Sequence, residues 1–298
     1  MNNKIQYYVE CEENQIKIRE YLKNKLDISS RFIKKAAIEK RIEVNGIPVK
    51  MNYMLKTGDK IEIDLSREES QNITPEKMDI SIVYEDEDII VVNKPSGMVV
   101  HPTKSYQEGT LANGLLYYFK EKGENCIVRL VNRLDRDTSG LVLIAKNQFA
   151  HMSLARDMEL DSFKKGYIAV VMGNLEEKSG MIDMPIYRTG GDSIMRVIDD
   201  RGQNSITHYK VQSSLLKADV LELILETGRT HQIRVHLSNI GHPIYGDTLY
   251  GGEDSIIKRQ ALHAYSLSFP HPRHGRVISL EIDIPKDIKN LIETLRRD

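Results

Sequence analysis

Arg133-Leu134-Asp135-Arg136-Asp137-Thr138-Ser139-Gly140 is the stretch that decides how this 298-residue chain is read. It sets two carboxylates, two guanidinium groups and two hydroxyls between apolar runs, Ile127-Val128 before it and Leu141 to Ile144 after it. A surface turn has no need of that density of alternating charge. A site that keeps a carboxylate ionised beside an anionic ligand does need it, because a neighbouring cation favours the charged form of an Asp and orients it.

Around this stretch the composition is ordinary. Apolar residues make up 40% of the chain and charged residues 29%, the profile of a soluble globular protein with material for one large domain and a small one. No run approaches the ~18 apolar residues of a membrane span. Met1 to Gln6 lacks an apolar signal region and is soon followed by Glu10, Glu12 and Glu13. Cys11 and Cys126 are too few for a disulfide framework, and no C-x-x-C pair suggests zinc. A reducing cytoplasm, with no membrane attachment, is the expected location.

The formal net charge of −1 hides a gradient. Residues 15–60 carry 12 Lys or Arg against 5 acids, whereas the chain from 71 onward carries 28 bases against 31 acids. Such asymmetry points to a small anion-binding module on a nearly neutral body. Ile18, Leu22 and Leu26 recur every four residues and predict a helix over 16–26. Ser29 or Ser30 can cap a second helix through Phe32, Ile33, Ala36 and Ala37. Ile42 and Val44 alternate, Asn45-Gly46 gives a tight turn, Ile47 and Val49 follow, and beyond the turn at Lys56 to Asp59 come Ile61, Ile63 and Leu65. In the order of these elements, with Arg41, Val44-Asn45-Gly46 and Gly58-Asp59, residues 15–66 resemble the S-four RNA-binding module, named after a small-subunit ribosomal protein. Lys17-Ile18-Arg19 departs from the Arg-Leu-Asp usual there. The expected division is an RNA-binding domain over 1–66, a linker over 67–79, where Pro75 and polar residues lack periodicity, and a catalytic domain over 80–298.

The body is strand-rich. Strands are predicted at 80–84, 89–92, 141–144, 167–172, 206–211, 220–225, 262–269 and 277–284, and helices at 110–120, 148–158, 231–240 and 286–296. Runs of adjacent strands with occasional helices favour an α+β fold with a mixed, mostly antiparallel sheet. No G-x-G-x-x-G or P-loop pattern offers a nucleotide cradle, and no repeat at a fixed period is present.

The opening stretch is nearly identical to the R-L-D-x-D-T-S-G motif of RluA-type pseudouridine synthases, and the chain is identified as resembling that family over nearly its whole length. The resemblance implies the pseudouridine synthase fold and the isomerisation of uridine to pseudouridine in RNA, with Asp135 as the catalytic residue. It implies that Arg133 helps displace the target base, a task that suits a planar guanidinium able to stack and to bind phosphate. Asn132 is a departure, since many relatives have His there. Lys165-Gly166-Tyr167-Ile168-Ala169-Val170 matches a second motif and places Tyr167 against the target uracil. The third match is Thr227-Gly228-Arg229-Thr230-His231-Gln232-Ile233-Arg234-Val235-His236-Leu237. Thr230 is a plausible N-cap there, with Ile233, Leu237 and Ile240 on one buried helical face. Arg234 lies off that face in the first turn, where the helix dipole disfavours a cation and a nearby carboxylate would stabilise it. The resemblance implies that this carboxylate is Asp135, and Arg229 could contact RNA phosphate. His231 and His236 do not share a helical face, so no metal is expected. Asp137 is read as support for the turn. The segments 93–98, 101–102, 241–247 and 262–265 also match the family and are read as turns and supports of the cleft.

The implied protein is an isomerase, monomeric and without cofactor, acting on RNA, with large-subunit ribosomal RNA the expected substrate because relatives with the extra N-terminal module mostly resemble RluC and RluD. Two other readings stand beside it. One is a ribosome-assembly or RNA-binding protein of the same fold without turnover. The other is a glycosidase using Asp135 and Asp137 as acid and base, which the basic module and the absence of Trp disfavour.

Overall fold

The computed structural model describes residues 4–26, 28–65, 71–190, 194–253 and 255–297. Its contacts divide the chain into two units, one of residues 1–69 with 147–149 and one of residues 70–146 with 150–298.

The first unit opens with β1 (Lys4–Tyr8), followed by α1 (Ile18–Glu20), a π turn over Tyr21–Lys25, and α2 (Ser30–Ile38). The helix expected over 16–26 is therefore a single α turn that widens, and it still buries Ile18 and Leu22. Ser29 caps α2, its hydroxyl accepting from the Phe32 N–H at 3.2 Å, and Phe32, Ile33 and Ala36 face inward. Next come β2 (Ile42–Val44), β3 (Ile47–Pro48) and β4 (Lys60–Asp64). Asn45 and Gly46 both take positive φ, 52° and 79°, as a two-residue turn between right-twisted strands requires. The sheet runs β1-β4-β2-β3, antiparallel throughout. β1 lies outside the module expected over 15–66. It pairs Ile5 with Ile63.

In the second unit β5 (Ile82–Glu85) and β6 (Ile89–Lys94) precede α3 (Leu111–Glu121). Then follow β7 (Arg129–Leu130), β8 (Ser139–Ala145), α4 (Gln148–Asp157) and β9 (Lys164–Met172). β10 (Ser179–Asp183) leads to a separate hairpin of β11 (Ile186–Arg188) and β12 (Arg196–Ile198). β13 (Ile206–Ser214), β14 (Ala218–Leu225), α5 (Gln232–Asn239), a 3-10 turn over Thr248–Tyr250, β15 (Leu262–Pro270), β16 (Val277–Glu281) and α6 (Lys286–Arg297) complete it. Ten strands form one sheet, β10-β13-β14-β9-β15-β8-β6-β5, with β16 on β15 and β7 on β8. Among the described strands of this sheet only β15 and β8 pair in parallel. The result is the α+β, mostly antiparallel architecture expected.

Both faces of the central strands are covered, which explains why they read as continuous apolar runs rather than as alternation. Ile90, Val92, Val142 and Ile144 join a core with Leu111, Leu115 and Phe119 of α3 and with Ile288 and Leu291 of α6. Ile89, Val91, Leu141 and Leu143 point the other way, into a core with Ala150, Leu154, Phe163 and Phe269. Residues 71–79, expected as a linker, run along the second unit. The Gln71 side chain bonds both the N–H and the C=O of Val128, and the Glu76 N–H donates to Asn113 O at 3.0 Å. An aperiodic segment can be ordered in this way when its polar groups find partners on a neighbouring element. No helix among the described residues is long and apolar enough to cross a membrane.

Candidate active site

The loop 131–138 leaves β7 at the far end of β8 and returns to the start of β8, so a single strand anchors both of its ends. Asn132 is buried and clamps the loop to β8, accepting from the Leu143 N–H at 2.7 Å and donating to Leu141 O at 3.2 Å. The turn at the motif closes with the Thr138 N–H donating to Asp135 O at 3.2 Å. Gln260 Nε2 donates to Thr138 Oγ1 at 3.1 Å, Ser139 Oγ meets His263 Nδ1 at 2.9 Å, and Arg259 donates to Asp137 O at 3.2 Å. Gly140 has φ of +121°, and a Cβ there would lie 2.2 Å from Ala264 O. Only glycine lets β15 approach β8 at that point.

Lys94 ties the loop from beneath. It is fully buried, and its ammonium donates to Pro95 O, Met98 O and Arg136 O at 2.8–2.9 Å. Burial pulls its pKa down to about 7, while Asp137 and Asp135 pull it back up. In the sequence this lysine reads only as part of a turn. Nothing in its spacing shows that it is a buried tie.

Asp135 and Arg234, 99 residues apart in the chain, meet at 2.9 Å through Nη1 and Oδ2. Arg234 also forks onto Asp247, Nε to Oδ2 at 2.7 Å and Nη2 to Oδ1 at 2.8 Å. Its side chain is 8% exposed, that of Asp247 1% and that of Asp135 26%. Burial opposes the charge on Arg234, but the two carboxylates outweigh it and raise its pKa. The guanidinium plane, fixed by Asp247, therefore presents its third edge to Asp135 in one orientation. Asp247 lies in the segment 241–247, read in the sequence as a turn and support of the cleft, but nothing there marks its carboxylate as a partner of Arg234.

The start of α5 differs from expectation. Thr230 is exposed and does not cap the helix; the N-cap is His231, in the left-handed conformation at φ 60° and without a side-chain cap bond. Gln232 instead ties the loop before the helix to β13. Its Oε1 accepts from the Arg229 N–H and from Thr227 Oγ1, and its Nε2 donates to Ile206 O and Thr207 Oγ1. His231 Nδ1 lies 2.8 Å from the Tyr250 hydroxyl, which itself accepts from the Arg196 N–H at 2.8 Å. That contact turns the other ring nitrogen, Nε2, towards Asp135, 3.9 Å from its Oδ2. Burial, the first influence, lowers the His231 pKa, so the ring is neutral at neutral pH.

Asp135 opens onto a cavity of about 450 Å³ that is also lined by Arg133, Lys165, Tyr167, Leu225 and Arg229. Tyr167 is buried, and desolvation followed by the negative charge of Asp135 raises its pKa well above the ordinary phenol value. Lys165 is buried beside it, its pKa lowered by desolvation and by Arg229. Arg133 is exposed, and its guanidinium has no hydrogen bond or ion pair to another described residue. Arg229 is exposed too and reaches only Asn204 O, at 3.3 Å. Four of the five residues singled out in the sequence, Arg133, Asp135, Tyr167 and Arg229, line this cavity, and the fifth, Arg234, meets it through Asp135. Asp137 instead pairs with Arg136 at the surface. Elsewhere, Asp86, Asp88 and His271 bring possible metal-ligand atoms within 4.8 Å of one another. Arg273 forks onto Asp88 at 2.7 and 2.9 Å and His271 holds Asp86 at 2.9 Å, an arrangement in which a guanidinium already supplies the positive charge.

Residues 88–239 match the RNA pseudouridylate synthase family. The uncharacterized RNA pseudouridine synthase YhcT of Bacillus subtilis (strain 168) is 42% identical over 275 residues, 92% of this chain and 91% of that protein. Ribosomal large subunit pseudouridine synthase D of Yersinia pestis is 37% identical over 287 residues, 91% of this chain and 88% of that protein. Among solved structures, human RNA pseudouridylate synthase domain containing 4 superposes with a TM-score of 0.60 at 25% identity, covering 72% of this chain and 93% of that one. The chain belongs to the RluA-type RNA pseudouridine synthases.

Proposed function

We propose that Asp135 is the catalytic carboxylate of this synthase and that its substrate is large-subunit ribosomal RNA. The observation that carries the reading is the position of Asp135. It lies at a cavity wall, paired with a buried, pre-oriented Arg234 and facing Tyr167. Uridine isomerisation breaks the bond from ribose C1′ to N1, turns the uracil, joins C1′ to C5 and releases the C5 proton, while N1 gains one. The base must leave its stack for any side chain to reach that bond. Asp135 acts at the ribose of the extruded nucleotide, by attack on C1′ or by removing a sugar proton, and the two routes use the same carboxylate. Tyr167, which keeps its proton, packs its ring on the uracil and offers an O–H to it. Arg133, unpaired at the rim, fills the space the base vacates.

The substrate reading rests on the named large-subunit synthases among the relatives. The domain expected over residues 1–66, which falls within the first unit, is assigned to RNA binding. Arg31, Lys34 and Lys35 of α2 are exposed and meet no carboxylate among the described residues, so they are free for phosphates. The test is incubation of the purified chain with a large-subunit ribosomal RNA transcript tritiated at uridine C5, followed by mapping of pseudouridines. Tritium release with pseudouridine at discrete positions supports the reading. Absence of release, or release from unrelated RNA alone, contradicts it.

A further inference from the structure

Next to the Asp135 cavity lies a second one of about 440 Å³, between the β11–β12 hairpin and the loop Gly228–Thr230. Five of its eleven lining residues are arginines, Arg133, Arg188, Arg196, Arg201 and Arg229, and none is acidic. The two cavities share Arg133, Gly228, Arg229 and Thr230.

The arginines are poorly compensated. Arg188 and Arg196 sit directly opposite each other in the two-stranded ladder, a like-charge pairing that destabilises a sheet. Arg188 has no hydrogen bond or ion pair to another described residue, and among the described residues the Arg196 guanidinium donates only to Ile194 O and Met195 O. Among the described residues Arg201 alone of these has a carboxylate, Asp199, and its guanidinium lies 4.6 Å from the Tyr187 ring centroid. The scaffold is nevertheless firm. Ile186 and Ile198, on the same hairpin face, pack with Val235 and Tyr250. The Arg196 N–H is bonded to the Tyr250 hydroxyl, which also holds His231. Gly202, where a Cβ would lie 2.4 Å from Ile186 C, lets the turn after β12 close on β11. A concave surface with opposed guanidinium groups that meet no carboxylate among the described residues is organised for a polyanion, and bidentate Arg–phosphate bonding matches its chemistry.

We propose that this cavity holds backbone phosphates of the substrate RNA beside the target uridine, so that the hairpin sets where the strand enters the Asp135 cavity. The inference rests on the reading of Asp135 as the reaction centre. Binding of a large-subunit ribosomal RNA transcript to the full chain is measured at 0.1–1 M salt for wild type, Arg188→Gln, and Arg188→Gln with Arg196→Gln. Lys289→Gln on the exposed face of α6 is the control. Each lost phosphate contact lowers the salt slope by about 0.7, so the double variant loses about 1.4 and binds about 25-fold more weakly at 0.1 M. Arg188→Gln alone, at an exposed and unpartnered position where folding is not at stake, loses half of that slope. Slopes equal to wild type in both variants overturn the proposal. Because phosphate contacts are independent of sequence, the slopes report on the cavity even with a transcript that the wild type binds without isomerising, a result that would sink the ribosomal reading instead.

Discussion

Arg234 on α5 is almost wholly buried and meets two carboxylates, whereas Arg188 on β11 is exposed, faces Arg196 and meets none among the described residues. The first arrangement uses charge to fix geometry. Its fork on Asp247 leaves one N–H edge for Asp135, and the low-dielectric surroundings make that orientation costly to change. The second leaves charge uncompensated at the surface, where it attracts a polyanion over a distance set by salt. On the proposed reading, paired and unpaired arginines divide the labour between positioning a reactive group and gathering the strand.

The comparison breaks most sharply at its centre. Asp135→Asn keeps the shape of the loop and removes the carboxylate, so tritium release from uridine C5 falls by about 10⁴-fold while RNA affinity stays within a few-fold; turnover near wild type would refute the division. Arg234→Ala leaves Asp247 buried without its partner, which costs about 3–5 kcal/mol of stability, and lowers kcat/KM by about 10²–10³-fold. Arg234→Lys restores charge without the fork and recovers stability more than turnover, read by thermal unfolding and by kinetics. A variant as active as wild type would mean that Asp135 needs no orienting cation.

A third test asks whether paired charge acts the same way far from the site. Burial would raise the Asp86 pKa, but hydrogen bonds from His271, the Asp88 and Ile89 N–H groups and Tyr84 bring it to about 2. A folded value below the unfolded 3.8 means stability that is present above pH 3.8 and lost as pH falls towards 2. Wild type should therefore lose about 2 kcal/mol more than Asp86→Asn between pH 5 and 2 in denaturant titrations, and equal acid sensitivity would contradict the pairing. The smallest effect belongs to unpaired charge. Lys34→Gln on α2 should weaken RNA binding about fivefold at 0.1 M salt with a slope change of about 0.7; an unchanged slope would remove α2 from the RNA-binding surface.

Much of this was legible in the sequence, and the exceptions share a cause. The central strands announced themselves because Leu141 to Ile144 and Ile89 to Val92 are apolar on both faces, and α2 announced its start through Ser29. The hairpin of Ile186 to Arg188 and Arg196 to Ile198 did not, since three-residue strands rich in Arg carry no periodic signal. The tie that Gln232 makes between the loop before α5 and β13 was hidden as well, because linear order does not encode side-chain reach. The pairing of Asp135 with Arg234 was legible only through family resemblance. The buried carboxylate of Asp247 and the tie made by Lys94 were not, because burial of a charge is a property of the assembled core and leaves no mark on local spacing.

The most direct test is a structure of the Asp135→Asn protein bound to a substrate RNA. The account predicts a uridine turned out of its stack into the Asp135 cavity, its C1′ beside position 135 and its uracil on Tyr167. A target uridine lodged elsewhere, with position 135 away from the ribose, would contradict it.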